Sequence, residues 1–166
     1  MFRCILCFLL IAIDQIVKFA TVLNLPLVSM RTGYPYGGIG VFQNVMGVEF
    51  SLVHATNTGA AWSMFQDYPS ILLFARIVLI SLLVIYLFFA YRDKIPLPWV
   101  LILSGAISNV IDHFLYGHVI DMFHFILWGY DYPVFNVADS LIVIGAFILI
   151  FSNTFSAREH AEQRKN

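Results

Sequence analysis

The residues of this sequence best suited to chemistry are aspartates that lie within or beside long apolar segments. Asp112, Asp121 and Asp139 are separated by stretches rich in Ile, Val and Phe. Ionisable side chains in such surroundings are costly to bury and usually mark a functional site. Two carboxylates that share a site cannot both ionise easily, so the pair holds one proton between them. The ionised member can then activate a water while the other donates a proton, which is the chemistry of aspartic peptidases.

The overall composition is that of a membrane protein. Hydrophobic residues make up 60% of the 166 residues and charged residues 11%, whereas soluble domains average about 45–50% apolar and about 25% charged residues. The net charge is −1 and no basic run is present to follow a phosphate backbone, so we expect no nucleic-acid partner. The length predicts a single integral membrane domain over residues 1–166.

Four segments are long and apolar enough to cross a bilayer core, which takes about 20 helical residues. They cover residues 2–23, 70–91, 98–116 and 134–155. Between the first two, Val48–His54 alternates as a short strand does. We therefore predict an all-α membrane protein with four transmembrane helices. A small β element, at about residues 40–60, is expected in the first outward-facing connection.

The distribution of positive charge predicts the orientation, because cytoplasmic loops carry an excess of Lys and Arg. The connection after the second span contains Arg92 and Lys94, whereas Gly117–Pro133, after the third, contains neither residue type. The long first connection has a single positive residue, Arg31. The tail adds three more: Arg158, Arg164 and Lys165. We expect both termini to be cytoplasmic and the first and third connections to face outward.

This orientation brings the three aspartates to a similar depth near the outer membrane surface. The third span runs outward toward Asp112 and Asp121, and the fourth runs inward from a start close to Asp139. Asn109 and Asn136 lie at that depth as well. Such a polar cluster must face the bundle interior or a water-filled cavity. Spacing alone leaves carboxylate hydrolysis and a proton relay or ion site equally open.

Two further spans carry ionisable residues. Asp14 and Lys18 are four residues apart, so their side chains are neighbours on a helix. We interpret them as a pair that faces the bundle interior, since burying both costs less than burying either alone. Arg76, in the second span, is interpreted as a side chain that snorkels to the lipid headgroups.

Four short blocks, in this order, resemble the lipoprotein signal peptidase family, signal peptidase II. They are Asp14–Lys18 (DQIVK), Asn57–Ser63 (NTGAAWS), Gly105–His113 (GAISNVIDH) continued by Gly117–Asp121 (GHVID), and Phe135–Ser140 (FNVADS). Each block is weak alone. Four in order, over nearly the whole of a four-span chain, are specific.

The resemblance implies a membrane-embedded aspartic endopeptidase that removes signal peptides from bacterial prolipoproteins, just before a cysteine that carries a diacylglyceryl group. It implies an inner-membrane location with the active site at the outer face, and no cofactor or metal. Prolipoproteins and membrane lipids are the expected partners, and we expect a monomer. The alternatives are a small proton- or cation-translocating membrane protein and a non-catalytic scaffold, neither of which explains the four blocks.

The resemblance also implies roles for individual residues. The catalytic pair of the family maps onto Asp121 and Asp139, and Asp112 matches a third aspartate that supports the site or orients substrate. The other positions implied to support the site or bind substrate are Asn57, Gly59, Gly105, Asn109, His113, Asn136, Asp14 and Lys18.

His113 departs from the family pattern, which usually has arginine at this position. Arginine is always charged and can form two parallel hydrogen bonds to a carboxylate or phosphate, whereas histidine titrates near neutrality. An orienting role at His113 therefore needs a different chemical basis. His118 or His124 could supply the missing positive charge.

Overall fold

The computed structural model describes residues 2–29, 34–59, 68–91 and 95–163, with side chains described as far as residue 152. The helices are α1 (Phe2–Asn24), α2 (Pro69–Tyr91), α3 (Leu97–Tyr116) and α4 (Val137–Gln163). The strands are β1 (Ile39–Val45), β2 (Val48–Asn57), β3 (Val119–Leu127) and β4 (Tyr130–Asp131). Several residues used for the predictions lie outside this description: Arg31, residues 60–63 of the second block, Arg92, Lys94, Arg164, Lys165 and the side chain of Arg158.

Three of the helices, α1, α2 and α3, are long and apolar enough to cross a membrane. Large apolar side chains on them point away from the protein, such as Phe8, Phe74 and Phe88, each about two-thirds exposed or more. Lipid is the solvent that such a surface requires. The chain is thus a multi-pass membrane protein. The fourth predicted span coincides with α4, whose described apolar part, Val137–Ser152, is shorter than the other three helices.

The buried face of α1 is polar and its exposed face is apolar, which is the reverse of the pattern in a helix of a soluble protein. Its buried side chains are Asp14, Lys18 and Thr21, which recur at the spacing of one helix face. They pack against α3, whose buried residues are Val100, Ser104, Gly105, Ser108 and Asp112. Polar groups are satisfied inside the bundle and apolar groups face outward, as a membrane requires.

Small residues let α3 and α4 approach closely along an antiparallel contact. A Cβ at Gly105 would lie 2.3 Å from the carbonyl oxygen of Ala138, and one at Gly145 would lie 2.7 Å from that of Pro98. Glycine at such contacts is typical of membrane helix pairs, where close backbone packing replaces the hydrophobic effect as the source of stability. This contact holds the start of α4 against the middle of α3.

The Gly105→Ala substitution should therefore destabilise the fold by about 1–3 kcal/mol, because a rigid backbone carbonyl on α4 must move to admit the methyl group. Thermal unfolding of the purified protein in detergent measures this. Gly40→Ala is the matched control, since its Cβ would meet no atom closer than 3.7 Å. Equal unfolding temperatures for the two variants would contradict the close packing of α3 and α4.

The four strands form one antiparallel sheet in the order β1-β2-β3-β4. The two outer connections, Met46–Gly47 and Trp128–Gly129, are two-residue turns in which both residues have positive φ, as type I′ hairpins require. The backbone N–H of Trp128 donates to the carbonyl of Gly47 at 2.8 Å. The two hairpin tips are therefore joined side by side.

The predicted β element was correct in place but incomplete. Residues 39–57 of the first connection do form two strands, yet half of the sheet comes from the connection between α3 and α4, where no strand was predicted. The sequence of β3, VIDMFHFIL, is apolar on both faces of its strand and lacks the alternation that marked β2. Fully covered strands read as continuous apolar runs. This one also follows α3 after only two residues, so it resembled the end of a span.

Candidate active site

The two aspartates of the proposed pair come from different kinds of secondary structure. Asp121 is the third residue of β3 and lies opposite Ala55 of β2. Asp139 is in the first turn of α4. Asn136 lies just before α4, and its side chain connects the two aspartates. The sheet and the start of α4 therefore build the site together.

The start of α4 fixes the side chain of Asp139. The Oδ1 atom of Asn136 accepts a hydrogen bond from the backbone N–H of Asp139 at 2.8 Å, and the Oδ2 atom of Asp139 accepts one from the backbone N–H of Asn136 at 3.3 Å. This reciprocal pair has the geometry of a capping box. The same contacts that begin the helix thus orient a candidate catalytic carboxylate.

Asn136 also contacts Asp121. Its Nδ2 atom donates to Oδ1 of Asp121 at 2.6 Å and to the carbonyl oxygen of Ile120 at 3.3 Å. Asn136 is completely buried and Asp121 is 3% exposed. A single amide therefore contacts both candidate catalytic residues from within the protein.

Two more asparagines face the aspartates from other elements. Asn57, the last residue of β2, donates from Nδ2 to Oδ2 of Asp121 at 3.4 Å. Asn109 of α3 donates from Nδ2 to Oδ1 of Asp139 at 2.9 Å. All three asparagines predicted to support the site thus contact the aspartate pair.

The surroundings of Asp121 favour its protonated form. Burial, and then the negative charge of Asp139, raise the pKa of the Asp121 carboxyl to about 7. The hydrogen bonds from Asn136 and Asn57 and the charge of Lys18 act in the opposite direction but are weaker. Asp121 is therefore poised to hold a proton near neutral pH, as a general acid requires.

This shift predicts that Asp121→Asn stabilises the protein while impairing its activity. The folded state binds the Asp121 proton more tightly than the unfolded chain does, so ionisation costs stability as the pH rises from about 4 to about 7. An asparagine has no such cost. We expect the variant to exceed the wild type by about 1–3 kcal/mol at about pH 8 and to match it below about pH 4.

Unfolding temperatures of both proteins across this pH range give the test. Glu49→Gln, which replaces a half-buried carboxylate on β2 of the same sheet, is the control for the change from carboxyl to amide itself. A constant difference between wild type and Asp121→Asn at all pH values would contradict the raised pKa.

A buried ionic cluster lies next to the pair. The Nζ atom of Lys18 is 2.7 Å from Oδ2 of Asp14 and 2.6 Å from Oδ2 of Asp112, and all three side chains are completely buried. Lys18 also donates to Oδ1 of Asn109 at 2.9 Å. The predicted Asp14–Lys18 pair does face the bundle interior, but it is also connected through Asn109 to Asp139.

Sequence reasoning missed several groups that complete this cluster. Gln15 donates to Oδ1 of Asp112 at 2.7 Å, and Ser108 donates to Oδ2 of Asp14 at 2.6 Å. The backbone N–H of Ala138 donates to Oδ1 of Asp14 at 2.7 Å, which ties α1 to the start of α4. Gln15 and Ser108 stand inside the recognised blocks, and their polar type within an apolar span was the available signal.

Comparisons with known proteins agree with this arrangement. Residues 6–155 match the family described as signal peptidase (SPase) II. The chain belongs to the signal peptidase II family. A lipoprotein signal peptidase of Psychromonas ingrahamii is 36% identical over 154 residues, covering 89% of this chain and 82% of that protein. One from Bacillus pumilus is 32% identical over 98% of both chains.

Solved structures agree on the fold of this signal peptidase II family member. Two structures described as a bacterial membrane enzyme match with TM-scores of 0.75 and 0.69. They are 23% and 24% identical in sequence and cover 93% and 90% of this chain, and 88% and 90% of their own. The arrangement of helices and sheet is therefore shared with membrane enzymes.

Gly59 of this family member interacts with α2 through Arg76. The Nη2 atom of Arg76 donates to the carbonyl oxygen of Gly59 at 2.7 Å, and the backbone N–H of Gly59 donates to Oδ1 of Asn57 at 2.9 Å. Arg76, interpreted from the sequence as a side chain that snorkels to lipid headgroups, binds a backbone carbonyl two residues from Asn57. Arg76 therefore lies beside the candidate site, through a contact that the sequence did not reveal.

The position where the signal peptidase II family usually has arginine lies in a group of histidines. The Nδ1 atom of His113 is buried and has no hydrogen-bond partner among the described residues. Burial, and then the charge of His54, lower the pKa of the His118 imidazole, whereas Asp112 opposes the shift. The described residues contain no group of three or more His, Cys, Asp or Glu that could hold a metal ion. His118, with its lowered pKa, therefore does not supply a permanent positive charge.

His124, the other residue suggested to compensate, belongs to a separate cluster. Its Nε2 atom is 2.7 Å from Oδ1 of Asp131 and its Nδ1 atom is 3.3 Å from Oγ of Ser51. The sheet thus assembles a Ser–His–Asp cluster. Ser51 is completely buried, so its hydroxyl cannot meet a substrate. This cluster joins β2, β3 and β4 and does not support Asp112.

Proposed function

We propose that this signal peptidase II family member is an aspartic endopeptidase that removes the signal peptide from diacylglyceryl-modified prolipoproteins, with Asp121 and Asp139 as its catalytic pair. The observation that carries the proposal is that the amide of Asn136 contacts both aspartates, at 2.6 Å for Asp121 and 2.8 Å for Asp139. The cut falls just before the lipid-modified cysteine, as the resemblance implies.

The chemistry needs no covalent intermediate. One carboxylate removes a proton from water, whose oxygen attacks the scissile carbonyl carbon, while the protonated partner donates to the carbonyl oxygen. When the tetrahedral intermediate collapses, the C–N bond breaks and the leaving nitrogen receives the proton that came from water. Asparagine amides that donate to both carboxylates hold them in place throughout.

The proposed setting is the bacterial inner membrane. We infer four spans, with α4 as the fourth, both termini in the cytoplasm, and the site at the outer face beside the sheet. Support comes from the positive residues between the second and third spans and in the tail, and from their absence in Gly117–Pro133. We also propose that the enzyme is a monomer in contact with lipid and forms one domain over residues 1–166.

The remaining site residues are proposed to support the pair or position the substrate. Asp112 anchors Lys18 and accepts a hydrogen bond from the backbone N–H of Ile120, next to Asp121, at 3.3 Å. Gly105 permits the close approach of α4, and Gly59 fixes the amide of Asn57. His113 lies one residue beyond Asp112, and we assign it a position near the substrate without a fixed charge.

Cleavage of a synthetic precursor peptide that bears a diacylglyceryl cysteine tests the proposal. The purified wild type should release a product whose first residue is the lipid-modified cysteine, identified by mass spectrometry. Asp121→Asn should not, and Glu49→Gln, the same chemical change elsewhere on the sheet, should retain wild-type activity. Proton or cation flux through proteoliposomes without any cleavage would overturn the proposal in favour of a translocating protein.

A further inference from the structure

Each of the three asparagines at the catalytic pair has its side-chain oxygen bonded to a group that can only donate. The ammonium of Lys18 donates to Oδ1 of Asn109 at 2.9 Å. Backbone N–H groups donate to the other two: that of Asp139 to Asn136 at 2.8 Å, and that of Gly59 to Asn57 at 2.9 Å. An ammonium or a backbone N–H cannot accept, so the atom facing it must be the amide oxygen. All three amides are therefore fixed with their NH₂ groups toward the aspartates.

For Asp139 this leaves both carboxylate oxygens facing donors. Oδ1 accepts from the amide of Asn109 at 2.9 Å, and Oδ2 accepts from the backbone N–H of Asn136 at 3.3 Å. Asp139 also lies at the N-terminus of α4, where the helix dipole favours negative charge. Among the described residues, neither oxygen faces an acceptor to which a carboxyl proton could be given.

The two oxygens of Asp121 are unequal. Oδ1 accepts a short hydrogen bond of 2.6 Å from Asn136, whereas the described part of the chain gives Oδ2 one long contact, of 3.4 Å, with the amide of Asn57. A proton on Oδ2 therefore displaces no strong hydrogen bond. The raised pKa of Asp121, about 7, is consistent with a proton held there at neutral pH.

Other charges around the pair also act differently on Asp121 and Asp139. The groups that interact electrostatically with it are Asp14 and Lys18 on α1, with Asp112 of α3 beside them. The single charge of Lys18 is shared with Asp14 and Asp112, at 2.7 and 2.6 Å. It cannot also neutralise two ionised members of the pair. Its contact with Asn109 directs its influence to Asp139.

We propose that Lys18, acting through the fixed amide of Asn109, assigns the two catalytic roles: Asp139 is the base that deprotonates water, and Asp121 is the acid that protonates the carbonyl oxygen from its Oδ2. Lys18 is a positioning residue in this scheme. On collapse of the intermediate, Asp139 gives the water-derived proton to the leaving nitrogen and Asp121 recovers its proton from the hydroxyl. The pair returns to its starting state. This inference rests on the proposed function.

Infrared spectroscopy of the purified protein locates the proton without requiring activity. The C=O stretching band of a protonated carboxyl should decline as the pH is raised through about 7. The same titrating band should be present near pH 5 in Asp139→Asn and absent from Asp121→Asn. A titrating band that persists in Asp121→Asn would overturn the assignment. Failure of the wild type to cleave precursor would reject the proposed function and leave this readout intact.

Variants of Lys18 test the positioning role. Lys18→Met removes the positive charge and the closer of two donors to Oδ1 of Asn109, which keeps only a 3.3 Å contact from the amide of Asn136. We therefore expect kcat to fall about tenfold or more and the acidic limb of the pH profile to move to higher pH. In Lys18→Arg the new side chain is also a cation that can only donate, so the acidic limb of the pH profile should stay in place. Loss of kcat in Lys18→Met with both limbs unmoved would mean a purely structural role and would overturn the proposal. If Lys18→Met does not fold, the infrared comparison of the two aspartate variants still decides which aspartate holds the proton.

Discussion

The Asp139→Asn variant should lose at least about 10³-fold in kcat for precursor cleavage, because the group that removes the proton from water is gone. Asparagine is nearly isosteric and can still accept one hydrogen bond at the start of α4, so the fold should survive. Single-turnover cleavage of the lipid-modified precursor by the purified variant measures the loss.

Which of the two constants, kcat or KM, changes in that variant is as informative as the size of the loss. A group that acts in the chemical step changes kcat, whereas a group that only binds substrate changes KM. We expect the KM of Asp139→Asn to remain close to that of the wild type. A variant with normal kcat and a raised KM would place Asp139 among the substrate-binding residues instead.

The second large effect is expected at Asn136, which contacts both aspartates and is completely buried. Asn136→Ala removes the oxygen that caps α4 and the amide that donates to Asp121. We expect kcat to fall about 10²-fold or more and the free energy of unfolding to drop by about 1–3 kcal/mol.

Asn136→Ser separates the two roles of this residue. Serine caps a helix well but has no amide with which to reach Asp121. Its unfolding temperature should recover most of the loss seen in Asn136→Ala, while kcat stays low. Recovery of both quantities in Asn136→Ser would show that capping alone matters and that the contact with Asp121 has no catalytic role.

Much of the site could be predicted because lipid makes polar residues costly. Every ionisable side chain in an apolar span demands a partner, so Asp14, Lys18 and Asp112 stood out in the sequence, and the structure places them in one buried cluster. The depth argument that grouped Asp121 with Asp139 depended on helix direction alone. Both inferences use only the period of the helix and the thickness of the membrane.

The details that set the chemistry could not be predicted, because they depend on backbone atoms. The amides of Asn57 and Asn136 are fixed by N–H groups of Gly59 and Asp139, whose positions follow from the folded chain. The strand that carries Asp121 was missed for a related reason. The rest of the folded protein covers both faces of this strand, so its residues are apolar on both faces. The alternation of polar and apolar residues that identifies a strand in sequence is therefore missing.

The departure at His113 illustrates the same limit. Comparison with the family pattern marked a change from arginine to histidine, and two nearby histidines were natural candidates to compensate. The structure shows His124 bound to Asp131 and Ser51, away from Asp112. The pairing of β2 with β3, which sets His124 opposite Ser51, decides its partners.

The central claim, that Asp121 and Asp139 act as one catalytic unit, is tested most directly by the single-turnover cleavage rates of Asp121→Asn, Asp139→Asn and the double variant. Residues that act as a unit are strongly non-additive. We predict that each single variant loses at least about 10³-fold and that the double variant loses no more than the worse single one. Near-normal cleavage by either single variant, or losses that multiply in the double variant, would contradict the account.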